Sequence, residues 1–197
     1  MRRSAGLLAV VALAALWAGG CSTAGGGAAG GAGGNGGGAA GGAPGACGVS
    51  IGDTYGDTCN GLTATACATP VMSTAPTPVP AGGSLANGTY DLSGITIYGT
   101  TDANVGFNAQ RGALAVADAT ASSATLDLVD VFGSITQRAH GTTVVAGANL
   151  AFTASCPSPD AGQDASGSVT FTATSTTITL FRIRFGLTLA SLYTKRP

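Results

Sequence analysis

From Leu85 to the C-terminus, runs rich in Val, Ile, Thr, Leu, Phe and Tyr are interrupted roughly every 8–12 residues by Gly, Asn, Asp and Ser. Such spacing suits strands joined by tight turns and leaves little room for helices with their own connections. Candidate strands are 88–98, 112–117, 124–132, 134–139, 142–145, 149–156, 167–173, 176–185 and 187–194, one of the nine being surplus. The segment 110–120 comes nearest to a helical period, and Gly112 weakens it.

Alternation assigns faces. Leu150, Phe152 and Ala154 oppose Ala151, Thr153 and Ser155, and Val169, Phe171 and Ala173 oppose Ser168, Thr170 and Thr172. Phe181, Ile183 and Phe185 likewise oppose Arg182 and Arg184, which places both arginines on the wet face as gatekeepers against edge pairing. An open sheet of this size would leave reactive edges, so the strands must close or stack. The fold class expected is all-β: a small antiparallel meander barrel of about eight strands, with a β-sandwich as the alternative.

Charge narrows the function classes. The chain has 9 Asp, no Glu, 7 Arg and one Lys, with a net charge of −1. A nucleic-acid binder needs a basic stripe to displace counterions, and helical bundles need Glu- and Lys-rich surfaces; neither is present.

The N-terminus reads as an address. Arg2 and Arg3 precede a 12-residue apolar run, Leu7 to Ala18, well short of the roughly 20 residues needed to cross a bilayer as a helix. Ala18, Gly19 and Gly20 lead into Cys21, and this stretch resembles the lipobox of bacterial lipoproteins, in which the cysteine is acylated and becomes the first mature residue. Ala18 and Gly20 also suit an ordinary cleavage that leaves Cys21 as a thiol. Cysteine arithmetic favours the first route: of five cysteines, lipidation of Cys21 leaves Cys47, Cys59, Cys67 and Cys156, an even set suited to an oxidising compartment. The resemblance, with Ser22 after the cysteine, implies export and anchoring in the bacterial outer membrane. No other apolar run approaches a span, so the expected chain is anchored, not threaded.

The expected organisation is a signal peptide over 1–20, a Gly/Ala-rich disordered linker over 21–45, a cysteine-containing and Pro-rich collar over 46–84, and the β domain over 85–197. From Ser22 to Gly45 there are 13 glycines in 24 residues, which cannot bury enough apolar area to offset backbone entropy. The reach of such a tether is about 25–30 Å. Its Gly31-Ala-Gly33-Gly-Asn-Gly36 matches a dinucleotide fingerprint by composition, without the strand and helix that phosphate binding requires. In the collar, cysteines separated by 11 and 7 residues fit no zinc template, so disulfides are expected. Four cysteines allow three pairings; at least one bond joins the collar to Cys156, and Cys47–Cys59 with Cys67–Cys156 is preferred. Pro70, Pro76, Pro78 and Pro80 then form a stiff spacer.

Two short stretches carry a second resemblance. Gly88-Thr89-Tyr90 looks like the aromatic opening of the first strand in lipocalin-like barrels, and Leu187 to Pro197 looks like their last strand with its basic end. The resemblance covers roughly 85–197 and implies that Lys195 or Arg196 packs over Tyr90, a contact worth about 0.5–2 kcal/mol. A ligand binder of this kind needs a cavity, for which Tyr90, Phe107, Phe152 and Phe171 are the candidate lining residues.

No catalytic set assembles. His140, the sole imidazole, lies in Arg138-Ala-His-Gly-Thr142 and is expected at a solvated hairpin tip. There is no nucleophile elbow, and Glu is absent. Asp127 and Asp130, three apart, face opposite sides of one strand. Asp130 shares parity with Leu126 and Leu128 and could enter the barrel as a ligand contact, although a strand-end turn or bulge returning it to water is preferred. Asp160 and Asp164 lack a calcium-loop spacing and read as a solvated loop. Asn87-Gly-Thr89 fits the glycosylation sequon but reads as a turn. The expectation is therefore a non-enzymatic envelope lipoprotein without cofactor, metal or nucleic acid. It binds a small apolar ligand or a protein partner, or else displays a solidly packed structural barrel.

Overall fold

The alternating region forms strands throughout, and the strands close on themselves. A computed structural model describes residues 54–55, 58–100, 109–132, 135–156 and 166–197. Its elements are β1 (Thr54–Tyr55), β2 (Cys67–Ala68), β3 (Pro70–Ser73), β4 (Gly88–Tyr98), β5 (Gln110–Ala117), β6 (Ser123–Phe132), β7 (Ile135–Ala146), β8 (Asn149–Cys156), β9 (Gly167–Ala173), β10 (Thr177–Arg184) and β11 (Leu187–Lys195). Strands β4 to β11 pair antiparallel in chain order, and β11 returns to pair with β4. This is a closed eight-stranded up-and-down barrel, not a sandwich. Closure removes the free edges that an open sheet would carry.

The surplus strand is resolved at 139–142. No hairpin interrupts it: β7 runs continuously through His140 and Gly141, with a register shift against β8 at that step. Gly141 is needed there because a Cβ would strike the Thr153 carbonyl and lie 2.9 Å from the Phe152 ring.

The collar is partly built into the barrel. Strand β4 pairs with β5 over Gly88–Asp91 and with β3, in parallel, over Ile95–Tyr98. Strand β2 pairs with the first residues of β5. Cys67 to Ser73 thus fills the seam where β4 and β5 diverge, and Pro70, placed by composition in a spacer, is a strand residue. Further upstream, residues 58–66 cover the outside of β5, β6 and β7. Leu62 and Ala64 lie on Ala113, Val129 and Val131, which are nearly inaccessible although they face away from the interior. Asn60 Nδ2 donates to the carbonyls of Leu128 at 3.1 Å and Ala139 at 2.8 Å, and Arg138 donates back to the carbonyls of Asn60 and Leu62.

The cysteine pairing differs from the preferred one. Cys156 joins Cys59, not Cys67, across a separation of 97 residues. Cys67 is itself disulfide-bonded, and Cys21 and Cys47 lie outside the described residues. The bond pins the covering segment onto the end of β8. Spacing alone contains no information about which of three pairings brings sulfurs together.

One end of the barrel, here the floor, holds the start of β4, the short turns after β5, β7 and β9, and the C-terminus. The chain crosses it before β4. Gly82 exchanges backbone bonds with Phe171 and Ala173 of β9, Leu85 is buried in the core cluster, and Asn87 Oδ1 accepts from the Ala119 amide at 2.9 Å. The opposite end, the mouth, holds the β10–β11 connection and the ends of β4 and β6.

Candidate functional site: the barrel mouth

The floor is sealed by side chains. Tyr90, Phe171 and Ile178 are 0% exposed and Tyr193 is 1% exposed, so no water-sized space touches them. Tyr90 Oη donates to the Ala86 carbonyl at 2.7 Å, satisfying its one polar atom, and burial raises its phenol pKa. Lys195 Nζ stands 6.0 Å from the Tyr90 ring centroid, the contact the lipocalin-like resemblance implied. Arg196 takes a different partner: Nε and Nη2 donate to the two Asp91 oxygens at 2.8 and 2.7 Å, which raises the guanidinium pKa.

The interior is unevenly sealed: Ile97, one residue from the mouth end of β4, and Ala139 on β7 are 0% exposed, while other inward positions keep some accessibility. Leu128 and Asp130 on β6, Gln137 on β7, Phe152 on β8, Val169 on β9 and Arg182 on β10 occupy inward positions and are only partly buried. Register fixes those positions. Ile178 and Leu180 pair with Ala173 and Phe171 inside the barrel, and period-two pleating then sends Arg182 and Arg184 inward beside Leu189 and Leu187. The expected faces of β10 are therefore inverted. Phe181 is on the outer wall, while Ile183 and Phe185 are 80% and 89% exposed.

Asp130 also faces inward, so the expected return to water does not occur. Gly112 stands opposite it across the β5–β6 ladder, where a Cβ would approach the carboxylate to 2.9 Å. That glycine leaves space for the charge. Tyr193 Oη donates to Asp130 Oδ1 at 3.3 Å, and Arg182 Nη1 is 3.9 Å from Oδ2. Burial raises the Asp130 pKa, against the opposing pull of Arg182. Tyr193 is raised by burial and then by the Asp130 charge. Partial burial and the neighbouring Arg182 charge lower the Arg184 guanidinium.

The other sequence candidates separate from this cluster. Tyr90 and Phe171 fill the floor, Phe152 packs against the same core from the partly accessible wall, and Phe107 lies outside the described residues. Asp160, Asp164, Cys21, Cys47 and the glycine fingerprint of the linker lie outside them as well. His140 is not at a hairpin tip: it sits mid-strand on the outer wall with Nδ1 2.7 Å from Asp127 Oδ1, a half-exposed hydrogen-bonded pair facing away from Asp130. Among the described residues no group of three or more His, Cys, Asp or Glu converges as a metal site.

A concavity of about 380 Å³ lies on the outer wall. It is bounded by Pro78 and Val79 of the proline-rich segment and by Tyr98, Phe181 and Leu192.

No protein-family model matches the sequence, and no curated protein matches it. Among solved structures, Japanin from Rhipicephalus appendiculatus, bound to cholesterol, is similar at 18% identity. The match covers 60% of this chain and 79% of that chain, with a TM-score of 0.36.

Proposed function

We propose that this chain is a non-catalytic lipoprotein of the bacterial cell envelope whose barrel binds a small, largely apolar ligand at its mouth. In this reading Cys21 carries the lipid anchor in the outer membrane, the glycine-rich linker is the tether, and the barrel is the working module. The observation that supports it is the unevenly filled interior. Tyr90, Phe171, Ile97 and Ala139 are inaccessible, whereas Leu128, Phe152 and Val169 remain partly accessible on the inner wall beside a small number of placed polar groups.

The sealed floor also favours a second reading, a structural display module whose barrel is filled along its whole length. Mass spectrometry separates the two. Under denaturing conditions the intact mature chain is expected to carry acyl mass on Cys21. Under native conditions the purified protein is expected to retain a small co-purifying molecule. A clean apo mass in repeated preparations supports the structural module instead.

A further inference from the structure

We infer that Arg182 and Arg184 form an anion-receiving subsite inside the barrel mouth, so that the ligand is a single-chain amphiphile with a negatively charged head. The inference rests on the ligand-binding reading above and names the ligand's chemical class.

Period-two pleating of β10 has to place either the two guanidinium groups or Phe181 and Ile183 toward the interior, and this chain turns the arginines in. Arg184 is exposed at the rim and Arg182 only partly buried, so the cost of taking a guanidinium out of water falls on Arg182 unless a partner compensates it. Places where a chain violates its own local pattern are where function is expected.

The compensation inside the barrel is incomplete. On the outside of the floor, Arg196 and Asp91 form a two-pronged pair at 2.7 and 2.8 Å. At the mouth, Arg182 stands 3.9 Å from Asp130, beyond hydrogen-bond distance, and the carboxylate takes its hydrogen bond from Tyr193 instead. Among the described residues, Asp130 is the one carboxylate that acts on both arginines, so two guanidinium groups share a single carboxylate there.

A carboxylate or phosphate head is planar or tripodal and matches the guanidinium fork. Beside it, partly accessible Leu187 stands opposite Arg184 on β11, and partly accessible Leu128 shares the Asp130 face of β6, so apolar surface for an alkyl chain adjoins the charged groups.

The test uses the exported full-length chain carrying C21S, which has no acyl group of its own to occupy the mouth. Calorimetric titration compares dodecanoate, dodecyl phosphate, dodecanol and dodecyltrimethylammonium. At least one of the two anions should bind about tenfold more tightly than the alcohol, and which one leads identifies the head group. Arg184 is exposed at the rim, so Arg184→Gln should leave the fold intact, shown by an unchanged melting transition. It should remove most of the anion preference while leaving dodecanol affinity as it was. Equal binding of alcohol and anions, preference for the cation, or an unaltered anion preference in R184Q overturns the subsite and leaves the apolar-ligand reading standing. No binding by any of the four overturns both.

Discussion

The floor and the mouth of this barrel are built from the same strands yet obey different rules. At the floor, inward side chains are apolar or have their single polar atom satisfied, and Lys195 lies over an aromatic ring. Toward the mouth, a carboxylate and two arginines share the interior at long distances, and the carboxylate is reached from below by the Tyr193 phenol. Dense packing at one end supplies the stability that lets the other end carry uncompensated polar groups. The contrast teaches that period two fixes which residues share a face, while the end of the barrel at which a residue falls decides what that face is for.

The largest effect should come from breaking the floor. Phe171→Ala removes a fully buried ring and should cost about 3–5 kcal/mol in urea unfolding. Truncating a mouth residue such as Leu187, only partly buried, should cost clearly less. Equal losses would erase the distinction. Next in size is the Cys59–Cys156 bond, which closes a loop of 97 residues. Replacing both cysteines with serine should destabilise the chain by about 2–5 kcal/mol and raise hydrogen exchange in β5 to β7 beneath residues 58–66.

Asp130 sharpens the mouth side. Its pKa is raised in the folded protein, chiefly by burial, so the native state binds the proton more tightly than the unfolded chain. Its contribution therefore favours folding at low pH and declines as pH rises from the ordinary carboxyl value of 3.8 through the raised native value. Unfolding free energy measured across that window should fall less steeply in Asp130→Asn than in the parent. A steeper fall in the variant would contradict the assignment. The smallest effect belongs to Lys195→Met, which keeps the stem and removes the charge over Tyr90. It should cost about 0.5–1 kcal/mol, read as a small shift in the urea midpoint.

Much of the barrel was legible in the sequence because turns and alternation are local. The strand from Gly88 to Tyr98 and the pair around Leu150 and Val169 fall where period two places them, with the expected faces. The pairing of a C-terminal base with Tyr90 was legible through resemblance. The faces of β10 were not, because Leu180 and Phe181 are adjacent and both apolar, so parity can be counted from either. Counting from Ile178 gives the right answer, and counting from the aromatics gives the inverse. Asp130 was misjudged for a related reason: the space that Gly112 leaves for it comes from a neighbouring strand. Burial of Val129 and Val131 on the outer wall depends on Leu62 and Ala64 folding back from far upstream, and no local pattern encodes that. The same long-range folding decides that Cys59, not Cys67, meets Cys156.

The most direct test of the floor-and-mouth account is methyl NMR on Ile-, Leu- and Val-labelled protein titrated with dodecanoate. The account predicts shifts at Leu128, Val169 and Leu187, with Leu92, Ile95 and Ile178 unmoved. Shifts concentrated at those three buried methyl-bearing residues, with the mouth silent, would contradict it.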